Sequence, residues 1–173
     1  MKTKTITIAP MFAIITAICS QFIIMLPFTP VPINLGNFAV FLSGGLLNKK
    51  DSLISQIIYI SLGIIGLPVF SKFGSGLGVL LGPTGGYILS YTVMAFMIGF
   101  IIEKLNKTLI NIWLSMLIGL IICYIFGTIG FMLYSGCDLW TAIITAILPF
   151  IVFDILKLLI AGVISLKLKK VLS

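Results

Sequence analysis

Asp154 and Lys157 stand three residues apart in the apolar run PFIVFDILKLL. If the run is helical, the spacing puts both on one face. If it lies in a bilayer, each charge costs about 2.5–3.5 kcal/mol near the centre, or roughly 5–7 kcal/mol for an unpaired two. One explanation is a structural ion pair. The other is a ligand site, with the carboxylate accepting N–H bonds and the ammonium donating to a carbonyl or carboxylate. Pro149, just upstream, predicts a kink that frees a backbone carbonyl close to the pair.

A second stretch with chemical potential is GLPVFSKFGSGLGVLLGPTGG, residues 66–86, which holds seven of the 17 glycines. Glycine lets backbone approach a ligand closely. Irregular backbone at membrane depth is tolerated only when buried in protein or lining a cavity. Because the stretch is apolar as well as glycine-rich, a lid folded back over a helix bundle is expected, with an ordinary flexible loop as the alternative. Candidate wall residues are Thr84, Tyr87, Ser90 and Tyr91, with the Gly85 and Gly86 amides at a helix start suited to an anionic group. Phe70, Phe73 and Phe150 are candidates to cover an apolar part. No phosphate-binding loop is present, since GPTGGY lacks the Gly-Lys-Ser/Thr ending. Energy for any transport must come from a partner or an ion gradient.

The elements that hold these residues follow from composition. Of 173 residues, 60% are hydrophobic and 9% charged, against about 25% charged in soluble domains. With a mean hydropathy of +1.29, the chain reads as an all-α integral membrane domain spanning 1–173 in a lipid bilayer. Six apolar segments lie between turn signals: 9–26, 34–47, 51–65, 84–103, 109–133 and 139–168. The second, at about 14 residues and roughly 21 Å, is short for a perpendicular crossing. Nine of the 11 lysines (2, 4, 49, 50, 104, 107, 167, 169 and 170) fall at alternate connections and the ends. Six crossings put all nine on one face, which predicts a six-helix bundle in the cell membrane with both termini cytoplasmic. The glycine-rich loop then lies outside. Lys2 and Lys4 ahead of the first segment raise a signal peptide, but no cleavage site follows and a retained helix is expected. Trp113 and Trp140 suit either interfacial belts or packing.

Composition also narrows the function. A net charge of +7 comes without a basic stripe or stacking platform, so no nucleic-acid partner is expected. Histidine is absent and Cys19, Cys123 and Cys137 lack metal-ligand spacing, so neither a metal nor a cofactor is expected. Cys19 and Cys123 read as apolar helix residues, Cys137 as a free thiol. An intramembrane enzyme would need a second carboxylate or a Ser/His set, and none is present. A stand-alone secondary carrier driven by protons through Asp154 is weakened by the lack of histidine and of a second buried acid. Ala9, Ala13 and Ala17 form a small-residue stripe for close helix approach, either inside the bundle or against another subunit.

PFTPVPINL, GIIGLPVFSKFGSGLGVLLGPTGGY and the Asp154-x-x-Lys157 pair together resemble the BioY family across essentially the whole chain. That resemblance implies a biotin-binding substrate (S) component of an energy-coupling factor (ECF) transporter. Such a component works with a transmembrane coupling subunit and two cytoplasmic ATPases. It further implies that Asp154 and Lys157 bind the ureido ring, that Tyr87 and the loop around Ser75 lie near the ligand, and that Ala13-x-x-x-Ala17 docks on the coupling subunit. Two departures stand out. Many members carry TLQ where this chain has Asn34-Leu35-Gly36. Some place an arginine for the carboxylate early in the fourth segment, and this chain contains none. Backbone amides, Tyr87, Ser90 and Lys72 are left for that role. The expected ligand set is therefore Asp154, Lys157, Tyr87, Ser75, Thr84, Ser90, Phe73 and Asn34. An S component for another vitamin is the alternative.

Overall fold

The computed structural model describes residues 3–106 and 108–172. Its helices are α1 (Thr3–Gln21), α2 (Gly36–Leu46), α3 (Lys49–Ile65), α4 (Leu77–Leu80), α5 (Gly85–Lys104), α6 (Leu109–Ser135), α7 (Leu139–Ala146) and α8 (Ile151–Leu172). A short antiparallel pair, β1 (Ile23–Ile24) with β2 (Ile33–Asn34), closes the α1–α2 connection.

Local chemistry sets the helix ends. The Asn48 side chain accepts from the Lys50 and Asp51 amides to start α3, and left-handed Gly66 ends it. Thr108 caps α6 through the Asn111 amide, with Gly136 left-handed at the other end. Asp138 caps α7. Each side-chain cap satisfies amides that have no partner in a first helical turn.

The 11-residue α2 sits at the centre, against α1, α5 and α8. Most of it is buried, and Val40 and Phe41 join Met94, Ile98, Ile112 and Met116 in a core with no accessible surface. The surface is apolar: Ile110 is 73% exposed and Leu133 83%. A soluble monomer rarely shows such large contiguous patches. Among the described residues, α5 and α6 are long and apolar enough to cross a membrane, and the bent pair α7–α8 makes a third candidate. Residues 7–21 of α1 and the whole of α2 are shorter apolar helices.

Each predicted apolar segment coincides with a helix, with three differences. The sixth segment is not continuous: α7 and α8 meet at 56°. Pro149 has no N–H for the helix ladder, and the Phe150 amide turns instead to the Ile147 carbonyl. The first segment ends at Gln21, where Phe22 onward turns into the β1–β2 pair. The glycine-rich stretch is partly ordered, with a 3-10 turn at Ser71–Phe73 followed by α4. Of the alanine stripe, Ala9 and Ala13 have no accessible surface, and Ala17 packs partly buried on the core. Their small size serves close helix contact inside this chain.

Lys49 bonds Glu103 at 3.0 Å at the lysine-bearing end. Of the nine lysines, Lys2 and Lys107 lie outside the described residues, as do the side chains of Lys4 and Lys170. Trp113 donates to the Leu159 carbonyl and packs on Gly162, while Trp140 is 69% exposed. The three cysteines are unpaired.

Candidate functional site

Asp154 lies in the first turn of α8, directly after the break at Pro149, and is 4% exposed; Lys157, one turn on, is 8% exposed. Their ammonium and carboxylate are 2.5 Å apart. Neither group is left to this one contact. Lys157 Nζ also donates to the Asn34 carbonyl at 2.8 Å and to Asn37 Oδ1 at 2.9 Å, which accounts for its three N–H bonds. Asp154 Oδ1 accepts from Asn37 Nδ2 at 2.8 Å, and Oδ2 accepts from the Tyr124 hydroxyl at 2.7 Å. Four elements (β2, α2, α6 and α8) therefore converge on one buried cluster. Burying two charges is tolerable only when pairing and hydrogen bonding compensate the lost hydration. A carboxylate offers about four acceptor sites. Three are filled here, leaving one for a donor from a guest.

Such a guest has a place. A cavity of about 50 Å³, measured as space open to the centre of a water molecule, is walled by Asp154, Lys157, Asn37 and Tyr124 on one side. Ser20, Tyr59 and Tyr91 extend its polar lining, Ser71 and Thr84 come from the glycine-rich loop, and Phe150, Ile33 and Val31 supply apolar surface. At roughly 10–15 Å³ per water on this measure, it holds a few waters as it stands. A bicyclic guest requires the loop side to yield. Gly36 approaches Ser20 and Tyr91 so closely that a methyl there would lie 2.7 Å from Ser20 Oγ and 2.9 Å from the Tyr91 hydroxyl.

Five of the eight expected ligand residues line this cavity: Asp154, Lys157, Tyr87, Thr84 and Asn34. Tyr87 also bonds the Ala146 carbonyl, which the α7–α8 break leaves without its helical donor, so the predicted free carbonyl has been taken up. The other three are off the wall. Ser90 faces α6, bonding the Tyr87 carbonyl and Cys123 Sγ, because one residue from Tyr91 and two from Ile88 turn it roughly 100° and 160° around the helix from those cavity-lining side chains. Phe73 is 70% exposed, turned outward by left-handed backbone at Lys72 and Phe73, and Ser75 is exposed beyond it. Lys72 is exposed as well.

Sequence reasoning missed Asn37 and Tyr124, which complete the charge cluster. The signal was available: a lone amide in the apolar run GNFAVFL and a hydroxyl in an apolar helix both need partners at membrane depth.

The family model described as BioY family matches residues 1–173. A Thermotoga maritima protein named biotin transporter BioY is 41% identical over 85% of this chain and 86% of its own. A Pyrococcus horikoshii protein named probable biotin transporter BioY is 35% identical over 98% of both chains. The crystal structure of an S-component for biotin from an ECF-type ABC transporter superposes with a TM-score of 0.91, at 32% identity over 98% of this chain and 92% of that one. The family-model match extends over the whole of residues 1–173, and the chain belongs to the BioY family.

Proposed function

We propose that this chain is the biotin-binding S component of an ECF-type uptake transporter, with the cavity beside Asp154 and Lys157 as its binding site. The observation that carries the reading is the cluster of Asp154, Lys157, Asn37 and Tyr124 against a partly polar cavity in an otherwise apolar bundle. The ureido ring of biotin presents two N–H donors and one carbonyl. The unfilled acceptor position on Asp154 suits one N–H, and the amide of Asn37 can exchange a bond within the cluster for one to the ligand. Tyr87, Asn34 and the apolar residues Phe150 and Ile33 enclose the ring system. For the carboxylate, Thr84 caps α5 without a side-chain bond to the helix, so its hydroxyl is available to an anion, while the Gly85 amide already donates to the Gly82 carbonyl. Ser71 lies on the same cavity wall.

The chain crosses the membrane six times as a single integral domain, with both termini cytoplasmic and the glycine-rich loop outside. Biotin enters from outside, the loop closes over it, and exclusion of water strengthens the polar contacts. Because the chain has no phosphate-binding loop, the work of release falls to a transmembrane coupling subunit and two cytoplasmic ATPases. Calorimetric titration of the detergent-purified protein with biotin, desthiobiotin, riboflavin and thiamine tests the reading. Biotin binds far more tightly than riboflavin and thiamine if it is right; equal or absent binding of biotin refutes it.

A further inference from the structure

We propose that Gln21, which lies outside the cavity wall, is a positioning residue that clamps the glycine-rich loop over the site. This rests on the loop serving as the outer wall of the binding cavity. Gln21 is the last residue of α1. Its amide nitrogen donates to the Phe70 carbonyl at 3.0 Å and the Val69 carbonyl at 3.1 Å, with a longer 3.3 Å approach to the Ala17 carbonyl of its own helix. Its amide oxygen accepts from the Phe73 amide at 2.9 Å. One side chain thus grips both ends of the turn formed by residues 70–73, using donors and acceptor together.

That turn needs holding. Lys72 and Phe73 have φ of 60° and 56°, a left-handed conformation that costs free energy for residues bearing a Cβ. Phe70 anchors the turn on one side, fully buried against Gly63 and edge-on to the cavity residue Tyr59. Between the anchor and the two left-handed residues, Ser71 lines the cavity and accepts from Asn34 Nδ2 at 3.1 Å. Asn34 in turn gives its carbonyl to Lys157. The clamp is therefore connected to the charge cluster through Ser71 and Asn34. Releasing Gln21 frees the two left-handed residues to relax toward ordinary backbone and withdraws Ser71 from the wall.

Two measurements test this, one of which needs no ligand. In the unliganded protein, Gln21→Ala is expected to speed amide exchange at Phe73 and Gly74 by about tenfold, the effect of losing roughly one well-formed hydrogen bond. In the biotin-loaded protein it speeds dissociation of radiolabelled biotin by a similar factor. Gln21→Glu keeps the size but turns a carboxylate oxygen toward the Val69 and Phe70 carbonyls in place of the donor, and speeds both at least as much as Gln21→Ala. The decisive readout is rescue. With glycine at both left-handed positions (Lys72→Gly, Phe73→Gly), the turn is no longer strained, and adding Gln21→Ala then changes biotin dissociation by less than about threefold. General loosening of the bundle would not be rescued in this way. Unchanged exchange in Gln21→Ala overturns the clamp whether or not biotin binds. Faster exchange with unchanged dissociation overturns its role at the site. A wild type that binds no biotin refutes the transport reading, and the exchange result then decides the clamp alone.

Discussion

Replacing Asp154 by Asn separates the two jobs of the charge cluster. The carboxylate is 4% exposed and accepts from Lys157, Asn37 and Tyr124. Asn keeps the shape but leaves the Lys157 ammonium, 8% exposed, with only the neutral oxygens of Asn34 and Asn37. Removing one partner of a buried pair costs about 3–5 kcal/mol, a large share of the roughly 5–15 kcal/mol that holds a domain folded. Adding Lys157→Met removes the orphaned charge and fills a similar volume, so the double variant recovers most of that loss, with a coupling energy of about 2 kcal/mol or more. Binding behaves differently. A charge-assisted bond from Asp154 to a ligand N–H is worth about 1.5–3 kcal/mol, or roughly 10- to 150-fold in Kd, and the double variant does not regain it. Thermal unfolding in detergent and biotin calorimetry on wild type, both single variants and the double variant complete the cycle. A double variant as unstable as Asp154→Asn, or one that binds biotin like wild type, refutes the reasoning.

Three other expectations follow from the geometry. Gly36→Ala places a methyl 2.7 Å from Ser20 Oγ and 2.9 Å from the Tyr91 hydroxyl. Overpacking of this kind costs about 1–3 kcal/mol and shows as weaker biotin binding in calorimetry together with a lower unfolding temperature. Gly86→Ala sets its methyl against the Phe126 carbonyl and 3.0 Å from the Gly130 Cα, where both neighbours are backbone and cannot rotate away. The unfolding temperature falls as α5 and α6 are forced apart. Asp138 accepts from the Thr141 hydroxyl at 2.6 Å and from the Thr141 and Trp140 amides, and these bonds, the hydroxyl's first, hold its carboxyl below the usual carboxylate range. Because the folded value is the lower one, the capping contribution is complete above the unfolded value and is lost as pH falls through the folded value. Protection of the Trp140 and Thr141 amides, corrected for intrinsic exchange, therefore falls as pH drops below the ordinary carboxylate value of about 4, and Asp138→Ala abolishes that dependence.

The helices were legible because apolar runs bounded by Gly, Pro and Lys are unambiguous at these lengths, and Asp154 and Lys157 stood out as charges where charge is expensive. What could not be read was which neighbours would meet them. Asn37 reaches Asp154 across 117 positions, a contact created by packing α2 against α8. The outward turn of Phe73 and Ser75 likewise depends on two left-handed residues without a glycine signal at either position. Ser90 lies off the cavity wall because Tyr87, Ile88 and Tyr91 occupy the cavity face of α5 while Ser90 turns to Cys123 of α6, a division that a helix start read as one wall does not show. Small residues at Ala9, Ala13 and Ala17 mark a close-approach surface in the sequence, but sequence alone does not say which helix approaches it.

The unequal helices set a mismatch with the bilayer. At 1.5 Å per residue the 27-residue α6 is about 40 Å long, against a hydrocarbon thickness near 30 Å, while the 11-residue α2 reaches about 16 Å. The long helix must lean or emerge from such a slab, and the short one cannot cross it by itself. Lipid composition thereby gains mechanical access to the binding cavity: a thinner membrane favours a greater tilt of α6, and Tyr124, fastened to Asp154, travels with it.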